Sequence, residues 1–219
     1  MIYNDFLECD YKIFGLYGAD DKGLCLCGNP NCPAAFKHPV ASNWQYTPDW
    51  SEDQLEVMEM SGQLNTGYGV MVGNGLLVVD IDERNGGTSE ALGDLLMGCG
   101  FIVKTGSGGL SRHYYFKCPP DLALAQHHED YPGIDFKSSG FVVGPGSMHS
   151  SGNKYEVLMG DVWDIEDAPP ALLELLKKPE KFRATVNGST IDVSQDDLAE
   201  ILKFVINDDL DYETFIRVG

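Results

Sequence analysis

The segment GLLVVDIDE, Gly75 to Glu83, sets the tightest limit on how this chain folds. Leu76, Leu77, Val78 and Val79 form a run too continuously apolar for a half-exposed strand. Side chains two apart on a strand share a face, so Asp80 and Asp82 stand together while Val79 and Ile81 turn to the core. Carboxylates paired at the end of a buried strand are costly without a compensating cation. Mg²⁺ or Mn²⁺ meets that need, taking hard oxygen ligands and leaving positions open for phosphate oxygens. A bare D-x-D is short, and the same residues also read as a strand running out into a solvated loop.

Around this segment, strand-like and helix-like stretches alternate. Residues 11–17 (YKIFGLY), 67–72, 101–104, 113–117 and 140–143 read as strands. Ser51, with Gln54 as its capping-box partner, opens a helix to about Met60. Thr88 or Ser89 caps a short helix that ends in glycine, Pro169 and Pro170 start one through Leu176, and 194–206 reads as another amphipathic helix. This alternation implies an α/β or α+β fold. With 219 residues there is room for one sizeable core, or one domain plus an appendage. The final YETFIRVG stops inside an apolar pattern, as a chain that continues further would. The N-terminus lacks the basic and apolar regions of a signal peptide, and the longest uncharged stretch, Met60 to Val79, is a poor membrane span. A soluble, cytoplasmic protein without membrane contact is the expectation.

Charge narrows the partners. Fifteen Lys and Arg against 34 Asp and Glu leave a net charge of −19, which opposes broad nucleic-acid binding. The balance is uneven. Residues 101–160 carry five basic and five acidic side chains, whereas 192–213 carry eight carboxylates and one Lys. Any DNA contact is therefore expected to be local and salt-sensitive.

Three further constellations carry chemistry. In KTGSGGLSRHYYF, Lys104 to Phe116, a glycine-rich loop turns backbone N–H groups toward an anion and leads to Ser111 and His113; it also reads as a plain hairpin. It fits neither a Walker loop nor a dinucleotide fingerprint, because no G-K-[ST] follows and the glycines lead into a strand. In Gly133 to Tyr155, Asp135 and Lys137 alternate on one strand face, and a Gly-Pro-Gly turn presents Ser147 and His149. A surface ion pair followed by a polar loop is the plainer account. In CLCGNPNCPAAFKHP, Cys25, Cys27, Cys32 and His38 fall in a C-x-C-x4-C-x5-H pattern, leaving open zinc or reduced thiols. Cys9, Cys99 and Cys118 are scattered and read as buried apolar residues.

Taken in order, these elements resemble the bifunctional DNA primase/polymerase (prim-pol) N-terminal domain of the archaeo-eukaryotic primase superfamily. The resemblance rests on the Cys-rich stretch ending in Lys37-His38-Pro39, then Trp44, then Asn65-Thr66-Gly67 and Asp80-Ile81-Asp82. It continues through Thr105 to Gly109 with His113-Tyr114, Gly133 to Asp135, and Gly140 to His149. Two features depart from it: Leu110, Ser111 and Arg112 separate the loop from His113, and Phe36 stands where relatives often carry glycine.

The resemblance implies an α+β primase-polymerase core, with a mixed or antiparallel RRM-like sheet flanked by helices and a small zinc-binding loop. It assigns residues 1–180 to the catalytic domain, with the zinc loop at 23–39, and 181–219 to an acidic helical linker leading into a further region, such as a helicase domain. Asp80, Asp82 and Asp135 would hold two Mg²⁺ or Mn²⁺ ions, with His113 beside them. Ser111, His113, Lys137, Ser147 and His149 would contact the incoming dNTP or NTP, and Cys25, Cys27, Cys32 and His38 would hold a structural Zn²⁺. The implied activity is primer synthesis and extension on single-stranded DNA, in the host of a plasmid, phage or integrated element. Two other readings are a catalytically inert template-recognition module and a metal-dependent phosphohydrolase.

Overall fold

The computed structural model describes residues 2–20, 22–46, 57, 58, 60 and 63–178. Of the helix expected from Ser51 to about Met60, residues 57, 58 and 60 are described and are helical; the helix expected over 194–206 and the linker over 181–219 lie outside the described residues.

Two sheets make up the fold. The smaller joins β1 (Ile13–Gly15), β2 (Tyr68–Val72) and β7 (Gly140–Val143), all antiparallel. The larger runs β6-β3-β5-β4-β8, with β3 at Leu76–Ile81, β4 at Phe101–Lys104, β5 at Arg112–Lys117, β6 at Ile134–Lys137 and β8 at Glu156–Met159. Its pairings are antiparallel, except that β9 (Glu166–Asp167) lies parallel to the end of β5. The expected α+β character holds, but there are two sheets where one was anticipated, and the described helices are short. They are α1 (Ile2–Glu8), α2 (Gln63–Thr66), α3 (Ser89–Leu92) and α4 (Pro170–Leu176). None is long and apolar enough to cross a membrane.

The β3 sequence is explained by what covers it. Leu76 and Val78 belong to one core cluster, shared with Phe14, Val70 and Val142 of the smaller sheet. Leu77, Val79 and Ile81 belong to a second, with Leu92 of α3 and Leu172 and Leu176 of α4. A central strand buried on both faces must be apolar at every position. Each fully buried Val or Leu contributes about 1.5–3 kcal/mol. Helix α1, which the sequence reading did not anticipate, adds Tyr3 and Phe6 to the first cluster, where Phe6 meets Tyr68, Phe101 and Tyr115 edge-on or tilted.

Polar residues interrupt this pattern at one end of the first face. Strand alternation carries β3 from Leu76 and Val78 to Asp80, and brings His113 to the same face of β5 as buried Tyr115. On β6, Ile134 and Phe136 enter the second core, which turns Asp135 and Lys137 to the first face. The functional groups thus stand where the inter-sheet core runs out.

Candidate active site

Register builds the site. Asp80 pairs across β3–β5 with His113 and across β3–β6 with Asp135, giving a row Asp135, Asp80, His113 over three adjacent strands. A cavity of about 320 Å³ opens over this row, lined also by Lys37, Asp82, Lys137, Tyr155 and by Phe141 to Val143 of the opposite sheet. A smaller recess adjoins it, sharing Lys37, Asp80, Asp82, His113 and Tyr155 and adding Thr105, Ser107 and His149.

Every carboxylate here has a cationic or imidazole neighbour. His113 Nε2 lies 3.4 Å from Asp80 Oδ1. Its Nδ1 is buried without a partner among the described residues. Burial pushes the Asp80 carboxyl up, but His113, with Lys137 and Lys37 farther away, outweighs burial and holds it below the ordinary carboxylate value. Asp135 lies 2.6 Å from Lys137 Nζ and 2.7 Å from His127 Nδ1, an exposed histidine absent from the sequence reading. Asp82 lies just beyond the β3 strand. It caps the 3-10 turn Glu83–Asn85, accepts from the Arg84 backbone N–H and takes the Arg84 guanidinium at 3.1 and 3.0 Å. These Arg84 hydrogen bonds, opposed by burial, lower the Asp82 pKa.

The glycine-rich loop is fastened to the Asp82 turn. Glu83 Oε2 accepts from Leu110 N–H at 2.8 Å, and the Glu83 N–H donates to Ser111 Oγ at 3.0 Å. Ser111 is fully buried and its hydroxyl lies on this clamp, outside the lining of either recess. The three residues between loop and His113 therefore have a use: Leu110 and Ser111 tie the loop to Glu83. Ser147 is likewise buried, its Oγ accepting from Tyr68 N–H at 3.1 Å. His149 does line the smaller recess. Its Nδ1 accepts from Ser151 N–H at 3.1 Å, and burial, then Lys37 and Arg84, lower its pKa.

The cysteine loop gathers its donors. Among the described residues, one group of three or more His, Cys, Asp or Glu side chains has all its donor atoms within 4.8 Å: Cys25, Cys27, Cys32 and His38. His38 Nδ1 is 3.3 Å from Cys32 Sγ and 3.8 Å from Cys25 Sγ. The Asn29 backbone N–H brings the Cys27 thiol down to about 7, whereas burial raises Cys25 to about 11. All six cysteines are free, and the four donors can hold a metal ion. By that measure Asp80, Asp82 and Asp135 are more widely spaced, though they share one cavity.

The family model for the N-terminal domain of bifunctional DNA primase/polymerases, Prim-Pol, matches residues 16–172. The chain belongs to this family. Its activity class is that of a DNA primase/polymerase, a nucleotidyltransferase, with DNA and nucleotides as substrates. The matched span of the Prim-Pol domain runs from the cysteine loop to α4 and takes in every candidate site residue. No curated protein matches the chain.

Proposed function

We propose that this Prim-Pol domain synthesises and extends primers on single-stranded DNA, transferring nucleotidyl groups from dNTPs or NTPs at the Asp80 cavity. The observation that carries this reading is the in-register row of Asp135, Asp80 and His113 beneath a cavity also walled by Asp82 and Lys137. Like charges spread apart and recruit cations, as Arg84 does on Asp82 and Lys137 on Asp135. Hard carboxylate oxygens suit Mg²⁺ or Mn²⁺, and Asp80, Asp82 and Asp135 are the residues that would hold such ions. Bound there, divalent ions would activate the attacking hydroxyl and offset charge on the leaving pyrophosphate.

The chain's own groups supply the rest. His113 donates to Asp80 and fixes its carboxylate. Lys137 is freed for phosphate oxygens once Asp135 has another cation. His149, neutral at pH 7, keeps an Nε2–H to offer in the smaller recess, since Nδ1 is already an acceptor. Ser111 and Ser147 act on backbone geometry. The Cys25, Cys27, Cys32 and His38 cluster holds a structural Zn²⁺. Residues 1–180 form the catalytic domain of a mobile-element replication protein.

Primer-extension and de novo synthesis assays with Mg²⁺ or Mn²⁺ test this directly. Wild-type protein should give metal-dependent products, and Asp80→Ala should lose them at least 100-fold while keeping its circular dichroism spectrum. Full activity in Asp80→Ala would remove the cavity from the reaction. Hydrolysis of nucleotide or DNA without incorporation would assign a phosphohydrolase.

A further inference from the structure

Among the described residues, three Lys or Arg side chains line the two recesses: Lys137, Arg84 and Lys37. Two are committed, Lys137 to Asp135 and Arg84 to Asp82. Lys37 makes no ion pair or side-chain hydrogen bond among the described residues, although it lines both recesses. Its charge reaches Asp80 and His149, lowering the pKa of each. An uncommitted ammonium over a nest of carboxylates is poorly explained by folding, since it lies exposed and stabilises no single partner.

The chain spends considerable structure on placing it. Lys37 sits between Phe36 and His38, and His38 belongs to the four-donor cluster. Phe36 has φ +64°, the left-handed conformation that side-chain-bearing residues avoid and that glycine adopts freely. Such a conformation persists only where the surroundings impose it. Here Lys37 N–H donates to Ala34 O at 2.8 Å, Tyr17 N–H to His38 O at 2.8 Å, and Val40 N–H to Gly15 O at 3.0 Å. These bonds stitch the loop's exit to β1, while the metal-ligand cluster pins its other side.

We propose that Lys37 binds the triphosphate of the incoming nucleotide, and that the metal-loaded Cys25, Cys27, Cys32 and His38 cluster holds it over the cavity. This rests on the nucleotidyl-transfer reading above and deepens it. A compact ammonium with three donors suits phosphate oxygens, and among the described residues it is the one cation lining the recesses that need not first give up a carboxylate. The cysteine loop then has a task in nucleotide binding as well as in stability.

The test is equilibrium binding of dATP to the zinc-loaded 219-residue protein by calorimetry, with Ca²⁺ in place of Mg²⁺ so that nothing turns over. Lys37→Ala should weaken dATP binding about 10-fold or more, the scale of a lost charge-assisted hydrogen bond, with zinc content unchanged. Lys37→Arg should recover most of it. Chelation of the cluster metal should produce a comparable loss in wild type, reversed by added Zn²⁺, and almost none in Lys37→Ala. Unchanged dATP affinity in Lys37→Ala overturns the proposal, as does a variant that loses only DNA affinity. Undiminished binding after metal removal, with the fold intact by circular dichroism, overturns the part assigned to the cluster. Wild-type protein that neither binds dATP nor incorporates it defeats the nucleotidyl-transfer reading itself.

Discussion

His149 shows how one side chain records its surroundings. It is 6% exposed, and its pKa is lowered from 6.5 by burial and by the Lys37 and Arg84 charges. Above pH 6.5 the imidazole is neutral in both folded and unfolded chains, so its contribution to stability is intact. As the pH falls, the unfolded chain takes up the proton first and stability drops, until the folded-state pKa is passed and the loss is complete. Thermal unfolding followed from about pH 7.5 to 5 should therefore steepen in wild type relative to His149→Gln. Parallel curves for the two proteins would contradict the assignment. The Ser147 and Ser111 hydroxyls also stand beside the site, and they accept from the backbone N–H groups of Tyr68 and Glu83.

At the scale of elements, two turns fix how the carboxylates face one another. Gly133 opens β6 at φ +73°, and its carbonyl accepts from Asp82 N–H at 2.9 Å. A Cβ at this position would strike Gly87 N and lie 2.7 Å from Asn85 O, both backbone atoms that cannot swing away. Gly133→Ala combines a disfavoured φ with that clash, so it should destabilise the fold by about 1–3 kcal/mol. It should also reduce incorporation beyond the stability loss, because Asp82 moves with the turn. Differential scanning calorimetry and primer extension on the same variant separate the two effects. If both stayed at wild-type values, the turn would have no part in positioning Asp82. The Glu83–Ser111 clamp does the same for the glycine-rich loop, holding Thr105 and Ser107 against the smaller recess.

For the whole molecule, a net charge of −19 must coexist with a polyanionic substrate. Among the described residues at the cavity, Lys137 and Arg84 are already paired with carboxylates, so the site itself offers little free positive charge to phosphates. Binding of single-stranded DNA should show a shallow salt dependence, a slope of log K against log salt of about −1 to −3, or a few phosphates at roughly −0.7 each. Fluorescence anisotropy over a salt series measures it, and a slope steeper than about −5 would reveal an extended basic track. The chemistry was legible in the sequence because strand alternation is local: Asp80 alternates with Val79 and Ile81, Asp135 with Ile134 and Phe136, whatever lies beyond. The apolar run Leu76 to Val79 likewise announced a strand buried on both faces, and the cysteine spacing announced a loop whose donors converge. Neither the split into two sheets nor helix α1 was legible, since which strand edges pair depends on contacts far apart in the chain. The Asp135, Asp80, His113 row is likewise a matter of register between three strands, where alternation fixes each face but not which residue of one strand stands opposite which of the next. Residue types and their alternation determined which groups could do chemistry; tertiary structure alone decided that Lys37 and His113 share a cavity with Asp80. Those encounters are between distant segments, and only packing brings distant segments together.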